Sequence, residues 1–228
     1  MTILIIVRYP RFFGWAGFLS MALFRFPLWL NGSINFWKLM GCGKNGSFDK
    51  IPDWRQWAVL MVYRPNSVIK IPSFFSAWWY LFNCEKWKLA LDPIEGHGTW
   101  DGQKPFGDLP KQTDYEGAIC VLTRATIRIN KLGQFWSHVD AISSKMANSK
   151  GFITSVGIGE VPWIKQATFS IWTSKETMKA FAYQMKDHAE VVVKTKKEKW
   201  YSEDLFVRFK PLNSTGSLNG ILPFEINP

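Results

Sequence analysis

Residues 98–106 read Gly-Thr-Trp-Asp-Gly-Gln-Lys-Pro-Phe and return at 216–224 as Gly-Ser-Leu-Asn-Gly-Ile-Leu-Pro-Phe, with Pro93 matching Pro211 at the same offset of 118 residues. A chain of 228 residues that repeats itself at half its length is built from two copies of one unit. Further back, LMGCG at 39–43 pairs with SVGIG at 155–159 at an offset of 116, and WAVLMVY at 57–63 pairs loosely with QATFSIW at 166–172. Small loop insertions account for the drift.

The hydrophobic period gives each copy the same order of elements. In the first half, TILIIVRY predicts a strand, residues 11–26 a helix, NFWKLMGCG and WAVLMVY strands, SFFSAWWYLFN a helix and KWKLALDP a strand. In the second, AICVLTRATIRI predicts a strand, GQFWSHVDAISSKMA a helix, FITSVGIG and QATFSIW strands, residues 174–198 a helix and LFVRFKP a closing strand. Asn130, or Ser174 with Glu176 and Thr177 behind it, supplies the polar residues expected at a helix entry.

Twice βαββαβ is two ferredoxin-like units, each an antiparallel sheet with helices on one face only. The bare faces must be buried, and two units in one chain do so by packing sheet to sheet as an intramolecular dimeric α+β barrel. The segment PFGDLPKQTDYEG, 105–117, hands one half to the other, so the expected units are 1–112 and 113–228.

At 47% hydrophobic and 20% charged the chain can bury a real core. Its 13 tryptophans and 18 phenylalanines suit pockets or surfaces that meet flat or long apolar molecules. Cys42, Cys84 and Cys120 are odd in number and lack a CxxC pair, which points to neither disulfides nor zinc and fits a reducing cytoplasm. The net charge of +10 has no zinc-finger spacing or RNP1-like string behind it, so nucleic acid is not an expected partner. The basic run KTKKEK at 194–199 reads as the solvated end of a helix.

The apolar segment FFGWAGFLSMALF, 12–24, is short of the roughly 20 residues that span a bilayer. It points first to the core. Arg8, Arg11 and Arg25 around it also suit an interfacial helix, placing the protein peripherally at the inner face of the membrane.

In MKAFAYQMKDHAEVVV, 178–193, the spacing of Met178, Phe181, Met185 and His188 puts a histidine in line with an apolar helical stripe. A core-edge histidine bonded to a backbone carbonyl would explain it, and so would a ligand to a metal or cofactor.

GIGEVPW at 157–163, QATFSIW at 166–172 and DHAEVV at 187–192, with FWKLMGCG at 36–43 and GTWDGQKPF at 98–106, resemble the spheroidene monooxygenase family of carotenoid biosynthesis, from about residue 8 to residue 224. The resemblance implies insertion of oxygen at C2 of an acyclic carotenoid, giving hydroxy and then keto products, with haem and dioxygen as the reactive pair. It also implies an external electron donor such as a ferredoxin and an apolar tunnel for a long polyene. By fold analogy, tandem α+β barrels hold haem between the outer sheet surface and the helices, which makes the second half the expected haem-bearing one.

In that reading His188, within the HAE string, is the first candidate for iron ligand and catalytic residue, with Phe181 and Met185 beside the porphyrin. His138 is the second candidate, and His97 belongs in a surface turn. Arg124 pairs with a propionate if it faces the cofactor, and otherwise faces solvent. Gly157 and Gly159 let backbone approach a flat group, Glu160 and Gln166 are the nearest groups able to handle protons, and Trp163 and Phe169 wall the pocket. Rival readings keep the barrel and change the chemistry: a haem lyase such as an aldoxime dehydratase, using iron as a Lewis acid, a carrier of haem or another apolar ligand at the membrane surface, or a barrel without a cofactor.

Overall fold

Strand β1, Thr2–Arg8, is buried at every residue but the last because both of its faces are covered. Leu4 and Ile6 face one apolar cluster, whereas Ile3, Ile5 and Val7 face another that includes helical residues. The same two-sided burial explains the near-continuous apolar run TILIIV.

The computed structural model describes residues 1–44, 49–184, 195 and 197–226, apart from the side chains of Asp140, Tyr183 and Gln184. After β1 come α1 (Gly14–Leu23), α2 (Arg25–Leu30), β2 (Ile34–Gly43), β3 (Pro52–Tyr63), α3 (Ser73–Leu81) and β4 (Glu85–Gly98). The second half follows with β5 (Ile119–Ile127), α4 (Leu132–Ala147), β6 (Phe152–Val161), β7 (Lys165–Trp172), α5 (Lys175–Lys179) and β8 (Tyr201–Gly216). The strands close an antiparallel barrel in the order β1-β3-β2-β6-β7-β5-β8-β4. This is the tandem ferredoxin-like α+β barrel that the repeat predicts.

The ladders show how the copies meet. Trp87 opposes Gly216 and Gly98 opposes Leu205; each residue of one pair is the repeat partner of a residue in the other, so the β4–β8 ladder maps onto itself. Gly41 opposes Gly159 on β2–β6. That match restores the offset of 118 where alignment of LMGCG with SVGIG gives 116. Gly98 and Gly216 have φ of +91° and +89°. A Cβ there would collide with the carbonyl oxygens of Asp204 and Lys86, so the repeated glycine is a steric requirement. Asp101–Gly102 and Asn219–Gly220 follow with paired positive φ values, the backbone of a tight hairpin turn.

Residues from all eight strands fill the barrel, including Leu60, Trp87, Leu89, Leu122, Ile158, Phe169 and Phe209. The interior is a packed apolar core. All three cysteines are free and buried; burial pushes the thiols of Cys42 and Cys84 up to about 12.

Several local expectations change. The helix predicted over 11–26 begins with a 3-10 turn, Arg11–Phe13, and is divided at Phe24 into α1 and α2. Core burial, its first expectation, gives way to a helix whose large aromatics, Phe12, Trp15, Phe18, Phe26 and Trp29, are exposed. Asn130 lies in a 3-10 turn, and Lys131 occupies the N-cap of α4 without a side-chain bond. Ser174 does cap α5, in a reciprocal capping box with Thr177. After α5 the chain makes a π turn, Ala180–Gln184, and most of the remaining span expected to be helical lies outside the described residues. His97 sits on β4 rather than in a turn, stacked on Phe206.

Candidate active site

The helix-facing surfaces of the two half-sheets can be compared row by row, because their registers match. In the first half Ile5 and Leu39 both oppose Val59; the same positions in the second half hold Thr123, Gly157 and Thr168. One row along, Ile3, Met61 and Trp37 become Val121, Ser170 and Ser155. On the other side Val7, Trp57 and Gly41 become Ala125, Gln166 and Gly159.

Apart from Gly41, the first-half set is large and apolar and packs with Phe24, Phe75 and Trp79 of the overlying helices. The second-half set is small and rich in hydroxyls. Ile5 and Val59 are each 1% exposed, whereas Thr123 is exposed and Thr168 half-buried. Side chains this short build a lower floor than the first-half set, at which Thr123 keeps solvent access.

Apolar packing resumes at one end of the floor. Met146 of α4, Met178 of α5 and Phe181 join Ile119, Val121 and Trp172. Phe181 stacks on Trp172 with ring centroids 5.3 Å apart and planes 29° from parallel, and the Trp172 indole donates to Ser170 Oγ at 3.0 Å. Ser174 sets the start of α5 and so the approach of Met178 and Phe181 to that wall. On α4, His138 Nδ1 lies 2.7 Å from the carbonyl oxygen of Gln134. A carbonyl only accepts, so Nδ1 is the donor in this bond. The His138 ring lies 5.6 Å from that of Trp200.

A small-residue floor beside an aromatic and methionine wall suits a flat apolar group such as haem, while the first candidate ligand, His188, lies outside the described residues.

A second polar assembly closes one end of the barrel. Arg124, 1% exposed, meets Glu203, Asp101 at 3.4 Å and Glu160 at 3.7 Å. Lys38 pairs with Asp101 and with Glu160 at 2.7 Å, and Lys165 pairs with Asp101 at 2.6 Å. Trp100 donates its indole N–H to Glu160 at 2.8 Å. Burial opposes the charge on Asp101, but hydrogen bonds from Lys165 and Lys38 outweigh it and hold the carboxyl at about 2. In this plug three cations face three carboxylates, and Arg124 Nε is buried without a hydrogen-bond partner among the described residues. A third buried set, Glu95 with Lys175 at 2.8 Å and with Arg208, ties α5 to β4 and β8. There the bonds from Lys175, Thr113 and Arg208 overcome burial and hold Glu95 at about 2.

The residues singled out by sequence therefore separate. Gln166, Gly157, Gly159 and Phe181 lie on the helix-facing side of the second half. Arg124 faces neither that side nor solvent; it points into the barrel, where carboxylates already hold it. Glu160 sits in the same plug, bonded to Lys38 and Trp100, and Phe169 is core, 1% exposed, so neither lines the floor. Trp163 stands exposed on the β6–β7 turn. His188 and Met185 lie outside the described residues. Sequence reasoning passed over Thr123, Ser155, Thr168 and Ser170, although aligning the two halves residue by residue would have shown small polar groups replacing large apolar ones.

No protein-family model matches the chain. It is 34% identical over 207 residues to a spheroidene monooxygenase of Rhodobacter capsulatus, covering 88% of this chain and 85% of that one. It is 30% identical over 223 residues to a spheroidene monooxygenase of Cereibacter sphaeroides, covering 88% and 68%. Among solved structures, an aldoxime dehydratase in complex with butyraldoxime superposes with a TM-score of 0.60 over 93% of this chain and 79% of that one, at 9% identity. That likeness is one of fold. The identity to the two monooxygenases extends over most of both partners, and the chain belongs to the spheroidene monooxygenase family.

Proposed function

We propose that this protein is a haem-dependent monooxygenase that hydroxylates, and then oxidises to a ketone, an acyclic carotenoid or similar polyene at C2. The reaction would occur on the helix-facing side of the second half. The observation that carries this reading is the replacement of Ile5, Leu39 and Val59 by Thr123, Gly157 and Thr168 at matched positions. A family whose members act as monooxygenases gives that small-residue floor a use.

When bound, haem would activate dioxygen with electrons from an external donor such as a ferredoxin. The chain's own residues would position the partners. Thr123, Gly157 and Thr168 let a flat ring system lie close to the sheet, while Trp172, Phe181 and Met178 supply an apolar wall that excludes water from one side. The hydroxyls of Thr123 and Thr168 offer short-range donors to polar groups at the floor. His188 would hold the iron, with His138 as the other candidate. Glu160 is committed to Lys38 and Trp100, so protons would come from solvent, with the Gln166 carboxamide at the floor's edge able to orient water by hydrogen bonds.

The test is the visible spectrum of the purified protein after haem is supplied. A Soret band lost in His188→Ala and kept in His138→Ala supports the assignment; absence of haem uptake by the unaltered protein overturns it. Product formation from a spheroidene-like substrate should require reductant, whereas turnover of an aldoxime without reductant would mark a lyase instead.

A further inference from the structure

Helices α1 and α2 are turned inside out. The stripe that meets the sheet is Ala16, Gly17, Ser20, Phe24 and Leu28, mostly small. The bulky side chains point away: Phe12 is 83% and Trp29 75% exposed, and Trp15, Phe18 and Phe26 are exposed as well. An ordinary surface helix puts these residues beneath it.

The exposed aromatics are continuous with their neighbours. Trp15 and Phe13 contact Phe82, which contacts Trp78 of α3, and Phe18 contacts Trp54 of β3. Tyr80 and Leu81 of α3 and Val68 and Ile69 of the loop before it are exposed as well. Exposed apolar side chains in this number, joined in part by ring contacts, mark an interaction face.

Charge says what it meets. Residues 1–84 contain nine Lys and Arg against Asp49 and Asp53 and no Glu, and 9–48 contain no acid. Arg8 engages Asp53. Arg11, Arg25, Arg64 and Lys70 stand exposed. Two copies meeting through this face would set cation against cation, which disfavours self-association. Tryptophan, tyrosine and phenylalanine flanked by arginine and lysine are the chemistry of a bilayer's headgroup boundary.

We propose that α1, α2 and α3 form a docking face for an anionic lipid bilayer. The aromatic side chains enter the boundary between headgroups and acyl chains, and Arg11, Arg25, Arg64 and Lys70 meet lipid phosphates. The helix lies in the plane of the membrane, held to the sheet by its small-residue stripe. This face belongs to the first half, so the inference stands independently of haem binding in the second.

The test is co-sedimentation of the full chain with vesicles of phosphatidylcholine alone or mixed with phosphatidylglycerol. Binding is expected to the mixed vesicles, to weaken as salt rises, and to fall about tenfold or more in Trp15→Ser/Phe18→Ser/Trp29→Ser. Arg11→Glu/Arg25→Glu, which leaves the aromatics in place, should weaken binding to the mixed vesicles selectively. Both variants alter exposed residues, and their circular dichroism should match the unaltered protein. No binding to mixed vesicles, or equal binding by the aromatic variant, overturns the proposal. A concentration-dependent dimer abolished by the same aromatic substitutions would overturn it in favour of self-association.

Discussion

The two half-sheets share a fold and a register, yet their outer faces have opposite characters. Ile5, Leu39, Val59 and Met61 of the first half pack an apolar layer under the helices. Their counterparts Thr123, Gly157, Thr168 and Ser170 do not. Duplication explains the shared barrel. The divergence separates two tasks: one face is packed for stability and carries its spare aromatics outward, while the other gives up packing to leave a floor.

The comparison can be broken by exchanging residues between halves. Arg124 occupies the position of Ile6, since Arg124 opposes Leu205 as Ile6 opposes Trp87. Arg124→Ile imports the first-half residue and removes the buried cation shared by Glu203, Asp101 and Glu160, so urea denaturation should show a loss of about 3–5 kcal/mol. If that variant is as stable as the parent, the plug is not a mutually dependent network. Met61→Ser imports the second-half residue at a fully buried site and should cost about 2–5 kcal/mol by the same measurement. Thr168→Val, the reverse exchange on the floor, should change stability by less than about 1 kcal/mol.

Acid should act on the carboxylates anchored in the plug and beside α5. Glu95 and Asp101 are held at about 2, below their ordinary values of 4.5 and 3.8. Groups depressed in this way contribute fully above the unfolded values and lose their contribution as pH falls toward the folded ones. The melting temperature should therefore change little on this account above about pH 5 and fall between about 4.5 and 2. Glu95→Gln should flatten part of that fall. The smallest effect is expected at helix entries: Ser174→Ala removes the α5 capping box and should cost about 1 kcal/mol. Pro72 at the start of α3 makes no side-chain cap, so Pro72→Ala should lose no such bond.

The repeat made the barrel legible, because GTWDGQKPF and GSLNGILPF encode hairpin turns whose glycines the sheet requires. Other features were hidden for physical reasons. β4 and β8 run through Gly98 and Gly216, past the point where apolar alternation stops, because backbone pairing rather than side-chain burial continues them. In VLTRATI, period two separates two faces, but both are covered, so sequence does not say whether Arg124 enters the barrel or meets the helices. RFFGWAGFLSMALF is apolar nearly all round. Which side of it is buried depends on residue size against Trp57 and Tyr9, a tertiary matter. The floor residues are individually unremarkable; only their contrast with the first half gives them meaning.

The central claim is that small residues on the second-half floor make room for haem, and the most direct measurement is haem titration of a variant carrying the first-half trio there. Thr123→Ile/Gly157→Leu/Thr168→Val should retain the folded circular dichroism spectrum and fail to develop the Soret band expected of the unaltered protein. A Soret band of wild-type intensity and affinity in that variant would contradict the account.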